Sequence, residues 1–264
     1  MMRALSVMVV GAAALLLAPA AFGQSIADTV DDVRDGKVRM SFASRAGICG
    51  DGYSSISMDG GRGWHIRRGH SDEWEVECEP GPVRVVLRVR ERQVTGVDTY
   101  VGGRWRPAGS TTRDLGTVSV QRAVDYLLSL ARGSRGDAGK EAIFPAMLAD
   151  SVTVWPQLLD MAKDDAVRRD TRKNAVFWLG QAAADAATEG LTEIVYDDDA
   201  DREVRKTAIF ALSQRPDDEG VPALIEVVRA HGDPALVKNA LFWLSQSDDP
   251  RAIDLFEEIL LGRR

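Results

Sequence analysis

Cysteine and histidine are nearly missing from this chain of 264 residues, which has two of the first and three of the second. That scarcity argues against structural zinc, which needs four such ligands in closely spaced pairs. There is no G-x-S-x-G, no H-E-x-x-H and no glycine loop followed by Lys-Ser or Lys-Thr. The common signatures of acyl transfer, metalloproteolysis and phosphate binding are therefore absent. Carboxylates are plentiful, but none lies in an apolar run where burial would raise its pKa for acid chemistry. Positive charge is also in deficit: the formal net charge is −7, with the acidic surplus falling after Ser119. No basic field is available for nucleic acid or an anionic lipid surface. No catalysis, metal or cofactor is expected.

Long apolar runs are missing too, with one exception at the start. Met1-Met2-Arg3 is followed by an uncharged apolar stretch from Ala4 to Ala18, then Pro19 and the small residues of Ala21-Phe22-Gly23. These are the three parts of a secretory signal peptide, with a cut expected after Gly23. The alternative is an uncleaved anchor. After cleavage nothing would span a membrane, so the expected location is periplasmic or secreted. Export suits Cys49 and Cys78, whose expected state is a disulfide.

Residues 24–37 read as a polar leader with Ile26, Val30 and Val33 at helical spacing. From Val38 to Val118 the period is that of strands. Val38, Met40 and Phe42 alternate with polar residues, as do Trp74, Val76 and Cys78, then Val83, Val85, Leu87 and Val89; Val94 to Val101 adds a further strand. The tight Glu79-Pro80-Gly81-Pro82 link predicts a hairpin that sets Glu73, Glu75 and Glu77 against Arg84, Arg88 and Arg90. Trp64, Trp74 and Trp105 are expected in a small core. Cys49-Gly50-Asp51-Gly52 is either a turn tied down by the disulfide or a loop whose amides approach a ligand. His65, His70 and Asp72 could at most form a weak metal site.

After Ser119, a good N-cap for a helix over Val120–Arg132, apolar residues recur at three and four. A phrase Lys-x-Ala-(aliphatic)-Phe then occurs four times, at Lys140–Phe144, Lys173–Phe177, Lys206–Phe210 and Lys238–Phe242. A period of about 33 residues marks stacked helical pairs, none of which buries its apolar face alone. Each copy has a first helix carrying the phrase and a second helix after an acidic, turn-prone break. Asp201-Arg202-Glu203-Val204-Arg205-Lys206-Thr207-Ala208 and Asp233-Pro234-Ala235-Leu236-Val237-Lys238-Asn239-Ala240 resemble the D-x-x-V-R-x-x-A-x-x-x-L signature of HEAT repeats. The similarity is to the short bacterial type, also found in phycobilin lyases. Two copies depart from it: Pro145 stands in the first helix of copy one, and Asp170-Thr171-Arg172 shifts the pattern in copy two. Those two helices are expected to be kinked or displaced.

The fold class that follows is α+β: a small β-rich domain over 38–118, then an all-α HEAT-like solenoid over 119–264. The resemblance implies a protein-binding solenoid and carries over no catalytic residues. On a helical wheel the Ala of each phrase faces the paired helix, while Lys173, Phe177 and Gln181 form a row nearly opposite. The row recurs as Lys206, Phe210, Gln214 and as Lys238, Phe242, Gln246. Either the phenylalanines close into a second core seam, or they form an exposed track for a partner segment or for the protein's own β domain. The function expected is that of an exported interaction or regulatory scaffold whose partner is a protein. The alternative is an enzyme or small-ligand binder centred on Cys49–Gly52 of the β domain.

Overall fold

A computed structural model of the chain describes residues 25–53, 55–58, 65–67, 78–182 and 185–262. The expected signal peptide, most of the Glu strand, Trp64, Trp74, His70 and Asp72 lie outside the described residues. No helix among the described residues is long and apolar enough to cross a membrane.

The leader is a helix, α1 (Ile26–Asp31), opened by a capping box in which Ser25 and Asp28 exchange side-chain and backbone bonds. Its Ile26 and Val30 are buried, so the leader belongs to the core. The alternating runs become β1 (Gly36–Phe42), β6 (Val83–Arg90) and β7 (Gln93–Val101), all antiparallel neighbours. A fourth strand, β8 (Thr112–Thr117), lies parallel to β1 and completes the order β7-β6-β1-β8. A second small sheet is made of β2 (Cys49–Gly50), β3 (Ser55–Ser57), β4 (His65–Arg67) and β5 (Glu79–Pro80). Cys49 and Cys78 form a disulfide that ties β2 to the start of β5.

The expected hairpin between the Glu and Arg strands is corrected by this register. β6 is flanked along its length by β1 on one edge and β7 on the other, so no edge remains for the Glu strand. Arg88 is answered by Asp98 on β7, and Arg84 donates to the carbonyls of Gly102 (2.9 Å) and Gly103 (2.8 Å). Trp105 also differs from expectation. It is half-buried, and two guanidinium groups lie against its ring, that of Arg39 at 4.9 Å and that of Arg84 at 5.4 Å.

The helical part begins with α2 (Val120–Gly133), capped by Ser119. First helices are α3 (Ala138–Met147), α5 (Arg169–Gly180), α7 (Arg202–Ser213) and α9 (Pro234–Leu244). Second helices are α4 (Trp155–Lys163), α6 (Asp185–Tyr196), α8 (Val221–Ala230) and α10 (Pro250–Leu260). The first helices stack side by side in one layer, and α4, α6 and α8 each pack closely on the first helix of the following copy. α2 does the same in front of α3. The alanines of the phrase, Ala142, Ala175, Ala208 and Ala240, are fully buried, as are Leu158 and Leu191 of the second helices. Small residues in the first layer let the helices approach, and the leucines fill the space between layers.

Neither departing copy is displaced. Pro145 falls in the last turn of α3, which ends in register with α5 and α7; α3 has 10 residues against their 12 because it starts two residues later relative to its alanine. In copy two Arg168 occupies the place held by the N-cap Asp201 in copy three, and α5 starts without a side-chain cap. Arg172 nonetheless repeats the role of Arg205. Each is buried, and each reaches back seven residues, Arg172 to Asp165 and Arg205 to Asp198.

The β strands and the helices share one continuous core. β7 is an edge strand, and its Val97 N–H donates to Glu141 of α3 at 2.8 Å. Arg88 adds an ion pair to the same Glu141 at 3.6 Å. Beyond β1, Arg45 N–H donates to Leu148 O (2.9 Å) and Asp150 N–H to Ala43 O (3.1 Å), so the sheet also holds the C-terminal end of α3.

Several carboxylates are held below their ordinary range and make this assembly acid-sensitive, Asp114 and Asp233 among them. The hydrogen bond from Arg39, at 2.6 Å, holds Asp114 below the ordinary aspartate range, with help from Gly116 N–H and against desolvation. Asp233 is lowered by the Ala235 N–H it caps, against desolvation and with help from Arg202. A depressed folded-state pKa contributes stability that is complete above the unfolded value and is lost as pH falls through the folded one. The expected result is a melting temperature that is level near neutral pH and declines once pH drops below the ordinary aspartate value of 3.8. Asp114→Asn should flatten part of that decline. An acid limb of equal slope in the variant would remove Asp114 from the account.

Candidate functional site

The free face of the first-helix layer carries a continuous row of aromatic rings. Phe144 stacks on Trp178, with centroids 5.2 Å apart and planes at 25°. Trp178 meets Phe177 edge-on at 5.1 Å, Phe177 stacks on Phe210 at 6.3 Å, Phe210 contacts Trp243 at 4.8 Å, and Trp243 meets Phe242 edge-on at 4.9 Å. The row thus crosses all four first helices. Its rings cover one another without closing: Trp178 is buried, Phe144, Phe177, Phe210 and Trp243 are half-buried, and Phe242 is 54% exposed. The two sequence alternatives meet here. The rings are a packing seam at the sheet end and an open surface at the far end.

Polar side chains flank the row as the wheel placed them. Lys173, Phe177 and Gln181 are half-buried; in copy three Gln214 is exposed, and in copy four Lys238, Phe242 and Gln246 all are. Lys206 pairs with Glu203 at 2.9 Å, and Lys140 with Asp137 at 2.9 Å. Lys173 and Lys238 have no ion pair among the described residues. Gln214 and Gln246 turn their amides onto the neighbouring Ser213 and Ser245.

At the sheet end the row runs into a cleft of about 250 Å3. β7 supplies Val97, Thr99 and Tyr100 to one wall, and Phe144 and Trp178 form the other. Tyr53, 80% exposed, stands at the rim beside Ile56. The loop that carries Tyr53 is the one the sequence suggested as a ligand loop, and its groups are otherwise engaged. Gly52 N–H donates to Val101 O at 2.8 Å and Asp51 N–H to Ser55 O at 3.2 Å. The Asp51 carboxylate accepts from the amides of Tyr53 (2.8 Å) and Ser55 (2.9 Å). Gly52 has φ +73°, and a Cβ there would stand 2.7 Å from Gly103 Cα. The glycines serve close packing of two backbones, and the loop presents Tyr53 rather than its own amides.

His65 lies in β4, and among the described residues no group of His, Cys, Asp or Glu is placed to hold a metal ion. Two features of this region escaped the sequence reading. Trp178 is at once a rung of the row and the wall of a cleft, and Arg215, in a polar turn, is buried.

Stacked helical pairs with a shared first-helix layer define the C-terminal part as an α-solenoid. Over residues 188–263, from within α6 through α10, its repeats are HEAT repeats, matched by the family model of that description. The same helical pairing continues back through copies two and one to α3. Repeats of this kind are generally protein-interaction scaffolds. No curated protein matches the chain.

Proposed function

We propose that this chain is an exported, non-catalytic scaffold that holds a protein partner on the free face of its first-helix layer. The observation that carries the reading is the aromatic row from Phe177 to the exposed Phe242, edged by Lys173 and Lys238 without ion pairs. A half-buried apolar track that opens at Phe242 suits an interaction surface. Lys238, exposed and without an ion pair among the described residues, favours a segment that carries carboxylates beside its apolar side chains. Neighbouring helices lie about 8 to 10 Å apart, and a polyproline-II-like chain advances about 3.1 Å per residue with about three residues per turn. Such a segment, crossing the helices, would set one apolar side chain on each rung about every third residue. The apolar N-terminal run and the Cys49–Cys78 disulfide support export.

The test is photo-crosslinking of the full chain in cells, with a crosslinking amino acid placed in turn at Phe177, Phe210, Phe242 and, on the other layer, Glu226. One discrete adduct from the exported fraction is expected at the first three positions and none at Glu226. Lys173→Glu with Lys238→Glu should weaken that adduct by about tenfold or more. Equal labelling from Glu226, or adducts only in the cytoplasm, would defeat the proposal.

A further inference from the structure

The cleft at the head of the row is built for a flat ring. Phe144 and Trp178 stack on each other nearly parallel, within 25°, and line its helical side. Tyr100 and the exposed Tyr53 add two more rings. The backbone at Tyr53 is anchored, because Asp51 accepts from its amide and Gly52 packs the loop against Gly103. Aromatic rings favour offset or edge contacts with other rings at 4.5 to 7 Å, a geometry that such walls offer to an inserted ring. A volume of about 250 Å3 is below the range of drug-sized pockets and suits one large side chain.

The polar lining narrows the choice. Asn174, on α5, lines the same cleft, and its buried Oδ1 has no hydrogen-bond partner among the described residues. Asn239, at the same position of the phrase, also has a buried Oδ1 without a partner among the described residues, but it is Asn174 that lines this cleft, where a ligand can supply the donor. Glu141, by contrast, is committed to Val97 N–H and Arg88.

We infer that this cleft receives a tyrosine or tryptophan side chain of the bound partner, its ring against Trp178 and Phe144 and its O–H or N–H donated to Asn174. The inference rests on the scaffold reading for the source of the ring, since Trp178 is also a rung of the track on which the partner segment would lie.

The experiment titrates the 15N-labelled full chain with N-acetyltryptophanamide, N-acetyltyrosinamide, N-acetylphenylalaninamide and N-acetylleucinamide, following the Trp178 indole signal, assigned by its loss in Trp178→Phe. Saturable shifts at Trp178 are expected for the first two amides, with a Kd on the order of 1 mM. The phenylalanine amide should bind about fivefold more weakly, for want of one hydrogen bond, and the leucine amide more weakly again. Thr99→Trp, which fills the cleft, should abolish binding. Asn174→Leu should bring the tyrosine amide down to the phenylalanine level without lowering the melting temperature. Glu226→Ala, on the other layer, should leave every Kd unchanged. Leucine amide binding as well as the aromatic amides, or Thr99→Trp binding normally, would overturn the inference. Selective binding together with failed crosslinking at Phe177, Phe210 and Phe242 would overturn the partner-borne source and make the occupant a free aromatic molecule. A crosslinked partner without selective amide binding would overturn the cleft and leave the track standing.

Discussion

Replacing Arg215 with leucine is expected to destabilise the chain by about 3 kcal/mol, a larger effect than any surface ion pair could give. The side chain comes from the turn after α7 and is only 5% exposed as a residue. It donates to the carbonyl of Gly180, the last residue of α5, to that of Ala182 just beyond, and to Thr188 Oγ1 on α6 at 2.8 Å, and it pairs with Glu219. Carbonyls at a helix C-terminus have no partner within the helix. Here one guanidinium supplies donors to copy two while standing in copy three. Leucine keeps much of the volume and removes every donor, leaving buried acceptors unsatisfied. Lysine keeps the charge but loses the planar fork, and should recover less than half of the loss. The check is urea denaturation, read as a lower midpoint at constant slope. A loss under about 1 kcal/mol would mean that water or a shifted backbone satisfies those carbonyls equally well.

Removing the disulfide should act on the other part of the molecule. Cys49→Ser with Cys78→Ser opens a link spanning a sequence separation of 29 residues. The chain-entropy estimate for a loop of that size is about 3 to 4 kcal/mol. The small sheet has strands of two or three residues and little core of its own, so the bond is expected to decide whether it stays formed. The predicted outcome is loss of protection in the Ile48–Ser57 amides by hydrogen exchange, while α7 to α10 exchange as before. Reductant should do the same to the parent chain and nothing to the variant. Binding of N-acetyltryptophanamide should weaken in both cases, because Tyr53 is held at the rim by this loop. Unchanged exchange in Ile48–Ser57 after reduction would show that the glycine-packed turn suffices by itself.

Much of the architecture could be read from residue order because its signals are local. Alternation in β1, β6 and β7 is a period of two, and the repeated phrase fixes a helix by a period of three to four. Ser119 announces α2 by the chemistry of its hydroxyl. The failures share a different cause. β8 is polar at nearly every position and forms because the edge of β1 is open and Arg39 reaches Asp114. The partner of β6 was misjudged because tight turns favour the nearest strand, whereas β1 lies more than 40 residues earlier. Arg215 reads as a solvated turn residue until helix ends from another copy surround it. The Lys, Phe and Gln row was visible on one helix, but how far its rings cover one another depends on the distance between helices. The cleft draws on the segments around Tyr53, Thr99, Phe144 and Trp178, and no window of sequence contains it.

Glu141 occupies the second position of the repeated phrase, where the other copies carry Asn174, Thr207 and Asn239. It alone receives the edge of the sheet, through Val97 and Arg88. Copy one is therefore not interchangeable with its siblings, and the array has a fixed origin from which the rest are counted. A duplication or deletion of one unit beyond copy two would lengthen or shorten the track while leaving the sheet, the cleft and their contact as they are. Reach is thus a variable that unequal recombination can tune, with the anchoring end held constant.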